Sequence, residues 1–299
     1  MENVASSGSI SVVIVAADSG DDLSACVEAV LACGDALEIL ISDNASTDGS
    51  VAAVAARFAG DARVHVLHND ANLGFGTGCN RAAATARGDL LLFLNPDCQV
   101  ERDTLVRLRE CLANDPAIGL LGVRIVGSDG KAEPASRRRD PLLRRALMTL
   151  SGLAHLEQRW PALAGTHLPA DVDAAEPETV EAVSGALMLL PRAVFERLGG
   201  FDERYFLHCE DLDLCRRVRD AGLRVACANR ITVVHRKGTS GRRRPFFVAW
   251  HKHRGMWRWF AKFDPAARNP LLRAIVWCGL RAHYIVLAPR YAWSLLRAR

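Results

Sequence analysis

Paired cysteine motifs are missing from this chain: it has nine cysteines, and no two of them stand as CxxC. The count is odd, and most of the nine fall inside apolar or helical patterns. This argues against a zinc ribbon or a disulfide framework and predicts buried, reduced thiols in a cytosolic protein. A secretory leader is missing too. MENVASSGS is short and polar, with no basic region ahead of a long apolar stretch. The Asn-Ala-Ser sequon at 44–46 is therefore read as coincidental. No stretch is a clean membrane span, since the best, Leu271–Leu296, is interrupted by Arg273, Arg281, His283 and Arg290. A charge at bilayer depth costs about 2.5–3.5 kcal/mol on insertion scales. The expectation is instead an interfacial helix pair broken at Pro289.

Acids are nearly absent from one region. Between Arg236 and Arg299 stand 15 Lys or Arg and one acid, Asp264. The other 235 residues hold 23 bases and 33 acids, so the formal net charge of +4 hides local balances of +14 and −10. An acidic body with a basic tail predicts that the tail meets something anionic. The tail interleaves its arginines with Trp250, Trp257, Trp259, Trp277, Tyr284, Tyr291 and Trp293. That mixture suits an anionic bilayer surface better than nucleic acid, although a plain helical cover with solvated arginines has the same composition.

What is present is a regular alternation. With 299 residues the chain is long enough for one large domain or two modest ones. Ile10–Val15, Glu38–Ser42, Arg63–Leu67, Asp89–Leu94 and Ile118–Val126 read as strands. Helical patterns separate them at Asp21–Cys33, Asp48–Ala59, Thr77–Arg87 and Arg102–Asn114. This predicts an α/β fold with a mainly parallel sheet flanked by helices. Residues 128–178 lose the periodicity and read as a long insertion beside the site, with one helix near 141–153. Order returns with strands at Val180–Leu190, Arg224–Cys227 and Ile231–His235 and a helix at Asp211–Ala221. Basic helices follow at Phe246–Phe263 and Leu271–Leu296.

Ligands of open parallel sheets bind at the carboxyl ends of the strands. Four consecutive strand ends here carry Asp or Asn: Asp18, then Asp43-Asn44, then Asn69 with Asn72-Leu-Gly74-Phe-Gly76, then Asn95-Pro96-Asp97. Any one of these could simply cap a helix; four on one edge favour a polar ligand. Asp97 leaves a buried strand and could reach a divalent cation bridging two phosphates. Glu210-Asp211-Leu-Asp213 opens a helix, where acids either meet the dipole or, in the case of Asp211, face a site. His235-Arg-Lys237-Gly-Thr-Ser240 ends a strand and is either a structural histidine or a metal and phosphate ligand.

These motifs run in one order: Asp43-Asn-Ala-Ser-Thr-Asp-Gly-Ser, Asn72-Leu-Gly-Phe-Gly, Leu94-Asn-Pro-Asp97, Ser184-Gly-Ala, Gly199-Gly-Phe-Asp-Glu, Phe206-Leu-His-Cys-Glu-Asp-Leu-Asp-Leu-Cys-Arg216 and His235-x-x-Gly-x-Ser240. The series resembles the family 2 glycosyltransferases, and within them the bacterial rhamnosyltransferase-like branch. The resemblance implies a GT-A catalytic domain over 1–240, with a nucleotide-binding half at about 8–127 and an acceptor-side half at about 178–240. Residues 241–299 then form a basic, aromatic, helical C-terminal extension. It further implies a nucleotide-sugar donor, dTDP-rhamnose by branch, and Mg²⁺ or Mn²⁺ held by Asp97 and His235. Asp211 matches the catalytic base of an inverting transfer. Donor contacts fall to Ala16, Asp18, Asp43, Asn44, Asn72, Gly74, Asn80, Asn95, Asp97 and Lys237. Gly185, Glu210 and Asp213 lie on the acceptor side. Two departures are that the DxD-like motif reads Asn95-Pro96-Asp97, and that strand one ends in Ala16-Ala17 where the family often has Asn and Tyr. The implied partner is a glycan or lipid-linked acceptor in cell-surface polysaccharide synthesis. Nucleic acid is not expected, and the expected place is the cytoplasmic face of the membrane.

Two other classes compete. Gly74-Phe-Gly76 after a strand hints at a nicotinamide oxidoreductase, but Cys79 replaces the third glycine of GxGxxG and the strand is the third, not the first. A non-catalytic sugar-nucleotide-binding module would leave Asp97 or Asp211 idle. UDP- or GDP-linked donors stay open beside dTDP-rhamnose.

Overall fold

The computed structural model describes residues 8–168, 177–236 and 244–297. Strand β1 (Ile10–Ala16) is buried along its whole length. Val12 and Ile14 enter one core layer while Val13 and Val15 enter the other. Burial on both faces is why this strand reads as an unbroken apolar run. Helix α1 (Asp21–Cys33) places Asp21 and Asp22 in its first turn, where acids meet the positive dipole end, and stops at Gly34 in the left-handed region. The alternation continues through β2 (Ala36–Asp43), α2 (Ser50–Arg57), β3 (Val64–His68), α3 (Phe75–Ala83) and β4 (Leu90–Leu94). Next come β5 (Cys98–Gln99), α4 (Thr104–Asn114) and β6 (Ile118–Val126).

The insertion contains β7 (Arg137–Arg138), α5 (Leu143–Leu150) and short 3-10 turns. After it stand β8 (Glu178–Thr179), β9 (Ala182–Val183), β10 (Leu187–Pro191), α6 (Arg192–Arg197), α7 (Glu210–Asp220) and β11 (Arg224–His235). The large sheet runs β3-β2-β1-β4-β10-β6-β11-β5, with β8 pairing β11. Pairs β1/β2, β1/β4, β2/β3 and β6/β11 are parallel. Strand β10 is antiparallel to both neighbours, β4 and β6. It therefore brings the residues before it, Ser184-Gly185-Ala186, to the edge where β4 ends.

Three expectations need correction. The run Val180–Leu190 is not one strand: Ser184-Gly185-Ala186 breaks it between β9 and β10. Arg224–Cys227 and Ile231–His235 are one strand, whose pairing with β6 slips between Ala228 and Thr232. The slip absorbs the polar Asn229 and Arg230 that read as a break. Finally, the last helix is continuous through Pro289. Proline there removes the bond to the Ile285 carbonyl, and Ile285 is 67% exposed, so water can take the freed oxygen.

The tail forms α8 (Pro245–Phe263) and α9 (Pro270–Arg297). Trp259 of α8 is 1% exposed and shares a core layer with Phe201 and Tyr205. Lys262 pairs with Asp202 and Asp213, and Arg258 with Asp202. Asp264, the one acid of the tail, is buried; it accepts from Ala266 N and, across to α5, from Leu143 N. Pro270–Trp293 is long and apolar enough to cross a membrane by length and composition, with mean hydropathy 1.4, despite its charges.

Candidate active site

The first strand ends form a hydrogen-bonded cradle. Asn44 N donates to the Ala16 carbonyl at 2.8 Å and Asn69 N to that of Asp43 at 2.9 Å. Asp43 Oδ1 accepts from Ser46 N, and its Oδ2 lies 2.9 Å from His68 Nδ1. Asp18, at φ 53°, accepts from Thr47 N at 2.8 Å. Asn44 Nδ2 donates to the Gly74 carbonyl at 3.0 Å, and Asn72 Oδ1 accepts from Gly74 N at 3.0 Å. Gly74 has φ +85°, and a Cβ there would lie 2.4 Å from the Phe206 carbonyl oxygen. Ala16, Asp18, Asp43, Asn44, Asn72 and Gly74 are thus brought into one set of loops.

A second cluster lies where β4 and β11 end. Asp97 Oδ1 is 3.1 Å from His235 Nε2, and Glu133 Oε1 is 3.2 Å from His235 Nδ1. Asn95 Nδ2 is 3.5 Å from the same Nε2. Strand pairing fixes this meeting, because His235 is opposite Cys98 in the β11/β5 ladder. Burial alone would lower the imidazole pKa; Asp97 and Glu133 outweigh it and raise it to about 9. One carboxylate and one imidazole, with a second carboxylate behind the ring, fit a divalent cation such as Mg²⁺ or Mn²⁺, which Asp97 and His235 would hold. A cation held here would bind His235 as the neutral imidazole, in place of the ring proton shared with Asp97. Cys98 Sγ also lies nearby, but burial pushes its thiol well up, so it stays a neutral, poor ligand for a hard cation.

The third cluster is built at the start of α7. His208 and Cys209 both hold positive φ, 69° and 71°, just before the helix. Two such residues store about 1–3 kcal/mol each, which the docked Phe206 loop must over-determine. They aim Asp211 at β9. Gly185 N donates to Asp211 Oδ2 at 3.1 Å, and Leu212 N to Oδ1 at 2.8 Å. Arg138 Nη2 also donates to Asp211 Oδ2 and, at 3.0 Å, to the Val183 carbonyl. Burial would raise the Asp211 pKa, but Arg138 and these amides hold it below the usual value. Its neighbour Glu210 is pushed up by burial and by the Asp211 charge, and its Oε2 is buried without a hydrogen-bond partner. One backbone stretch links the second and third clusters: Asn95 N donates to the Ala186 carbonyl at 2.9 Å, next to Gly185.

Other predicted site residues sit elsewhere. Asp213 is fully buried on the opposite side of α7 from Asp211, between Arg217 and Lys262. Asn80 ties α3 to the turn before α7: its amide donates to the Phe201 carbonyl and Glu203, and its Oδ1 accepts from Phe201 N. Lys237 lies outside the described residues. Sequence reasoning missed Glu133 and Arg138. Neither stands in a periodic segment; the Arg137-Arg138-Arg139 run was the one visible signal.

A sheet of this order, with a carboxylate and histidine at its strand ends and a second carboxylate across a short backbone link, defines a GT-A glycosyltransferase. The chain belongs to glycosyl transferase family 2, whose model matches residues 11–168. It is 30% identical over 262 residues to the N-acetylglucosaminyl-diphospho-decaprenol L-rhamnosyltransferase of Mycobacterium tuberculosis (strain H37Rv), covering 79% of this chain and 83% of the relative. It is 28% identical to the O-antigen biosynthesis protein RfbC of Myxococcus xanthus, covering 92% of this chain and 21% of that one. The fold is shared with the mannosyltransferase PcManGT of Pyrobaculum calidifontis, solved with GDP-Man and Mn²⁺. That match has a TM-score of 0.57 and 19% identity, over 97% of this chain and 75% of that one.

Proposed function

We propose that this glycosyltransferase is inverting and metal-dependent, and moves rhamnose from dTDP-rhamnose to a hydroxyl of a lipid-linked glycan in cell-surface polysaccharide synthesis. The observation that carries the reading is the pairing of Asp97 and His235 beside Asn95, one backbone link away from Asp211. Asp97 and His235 would hold the cation, with Glu133 fixing the ring. When bound, the cation neutralises charge on the departing diphosphate. The cradle of Asp43, Asn44 and Asn72 takes the nucleoside end of the donor. Asp211, ionised at neutral pH, takes the acceptor hydroxyl proton as that oxygen attacks the back of the anomeric carbon. The rhamnose donor and lipid-linked acceptor are supported by the name of the mycobacterial relative. The basic tail docks on the cytoplasmic leaflet, near such an acceptor.

A thermal-shift panel of nucleotide sugars, with Mn²⁺ or with EDTA, tests the donor and the metal together, because a ligand stabilises the state that binds it. The largest rise in Tm is expected with dTDP-rhamnose and Mn²⁺, and EDTA should abolish it. A larger rise with a UDP- or GDP-sugar would replace the donor. Asp211→Asn should keep the shift and lower turnover by about 10²–10⁴-fold, measured as nucleoside diphosphate release. Wild-type turnover in that variant would remove Asp211 as the base.

A further inference from the structure

Helix α8 belongs to the tail, yet one of its faces lies against the approach to α7. Phe247, His251, Gly255, Arg258 and Lys262 recur at three- and four-residue spacing, which sets them on one side of the helix. All five meet the stretch from Asp202 to Asp213. The Phe206 ring stacks on His251 with centroids 4.4 Å apart and stands edge-on to Phe247 at 5.4 Å. Arg258 lies over the Tyr205 ring at 5.2 Å, and Lys262 pairs with Asp213. Gly255 makes the closest approach: a Cβ there would lie 2.6 Å from the His208 carbonyl oxygen and 3.3 Å from Cys209 Sγ. Glycine is a poor residue for the interior of a 19-residue helix, and this close approach is what requires it.

The stretch gripped in this way is the strained one. His208 and Cys209 hold positive φ without being glycine, and such residues keep that shape only where their surroundings over-determine it. One side of the grip is α3, whose Phe75 N donates to the Phe206 carbonyl at 2.9 Å. The other side is α8. The Cys209 carbonyl accepts from Asp213 N at 2.9 Å, which is the first bond of α7. A displaced His208–Cys209 turn therefore displaces the helix start, and with it Asp211 relative to Gly185 N and Arg138.

We propose that α8 is a working part of the active site: Gly255 and His251 are positioning residues that hold the His208–Cys209 turn in the shape that aims Asp211. A catalytic unit ending at residue 240 would lack this wall. The proposal rests on the reading of Asp211 as the base, and it is independent of the donor and of any membrane contact. It specifies the defect that loss of the grip produces. The cradle of Asp43, Asn44 and Asn72 keeps its own hydrogen bonds, so donor binding stays, while the base is misaimed. Around Asp211 stand Arg138 of β7, Glu210 and Cys215 of α7, and His208 and Cys209 of the turn. Neither positioning residue is among them, so a change in its titration on replacing Gly255 or His251 reports altered geometry.

The test uses the full chain and the nucleotide sugar that gives the largest thermal shift, with turnover read as nucleoside diphosphate release across pH. Gly255→Ala should lower kcat by about tenfold to a hundredfold and leave the donor KM and thermal shift unchanged, because a misplacement of about 1 Å at the reacting groups costs that much. The acid limb of its pH profile should move to higher pH, since Asp211 drawn away from Arg138 loses the cation that holds its pKa down. His251→Ala removes only the stack on Phe206, so it reports even where Gly255→Ala folds poorly. It should change kcat and the acid limb in the same direction by less, and His251→Phe, which keeps a ring there, should restore both. Leu112→Ala, in α4 and in the other core layer, is the stability control: it should lower Tm and leave kcat and the limb in place. Wild-type kcat and an unmoved limb in His251→Ala and in folded Gly255→Ala would overturn the proposal. So would a loss in Leu112→Ala equal to theirs at the same fall in Tm. Asp211→Asn in the same assay separates the two readings: wild-type turnover there removes the base itself, whereas a dead Asp211→Asn beside fully active α8 variants removes only the positioning role.

Discussion

Asp211 reaches its position already constrained by Arg138, Gly185 and Leu212. A carboxylate held low is always in its basic form at neutral pH, but it is a weaker base than a relaxed one. Removing the guanidinium should reverse that balance, since loss of a nearby cation raises a carboxylate pKa. For Arg138→Gln the acid limb of the kcat/KM pH profile is expected to move to higher pH. The loss should be greatest on the acid side, on the order of tenfold or more there. Nucleoside diphosphate release measured across pH checks this, and an unmoved limb would show that Arg138 does not set Asp211. The residues legible in the sequence, Asp97, Asp211 and His235, all sit where a regular element begins or ends. Arg138 and Glu133 were illegible because the insertion has no period that places a side chain. Asp213 misled for the opposite reason: it lies two positions from Asp211, and a helix turns such neighbours to different sides.

At the scale of elements, the alternation of buried strands and helices was readable nearly to the residue, as in α1 and β6. Those segments carry their own periodicity and stops. The mainly parallel sheet was readable from that alternation, but the reversed direction of β10 was not, because an apolar run is the same whether its neighbours run parallel or antiparallel. Pro289 was over-read as a break, since an exposed helix can lose one bond to water. The junction of α3 with the Phe206 loop gives a sharper test. Gly74→Ala would combine a positive φ with a Cβ 2.4 Å from backbone. Strain of this type costs about 1–3 kcal/mol before any clash. Tm should fall, and because the displaced loop sets the start of α7, turnover should fall further than the Tm change explains. A variant with wild-type Tm would show that the loop is free to give way.

Taken whole, the molecule is an acidic body gripping a basic tail, and Asp202 is a main point of that grip. It pairs with Arg204, Arg258 and Lys262. Burial would raise its pKa, but these cations hold it far below the usual carboxylate range. A depressed pKa means stability that is present above about pH 4 and lost as pH falls through the folded-state value. Asp202→Asn should therefore cost about 3 kcal/mol at pH 7, and the difference from wild type should shrink steadily below about pH 4. Urea unfolding at several pH values measures it; a constant difference would contradict the ion-pair account. The charge split was plain in the sequence, but the grip was not, because Asp202 and Lys262 meet only through packing of α8. One further consequence belongs to Gly185 and Ala186. Gly185 touches Asp211 on one side, and Ala186 touches the Asn95 loop on the other. If Asp211 is the base and Asp97 holds the cation, as proposed, Gly185 and Ala186 form a fixed gauge between the arriving hydroxyl and the departing diphosphate. Under the proposed mechanism the enzyme needs no hinge to set that span, and it selects among hydroxyls of one acceptor by reach.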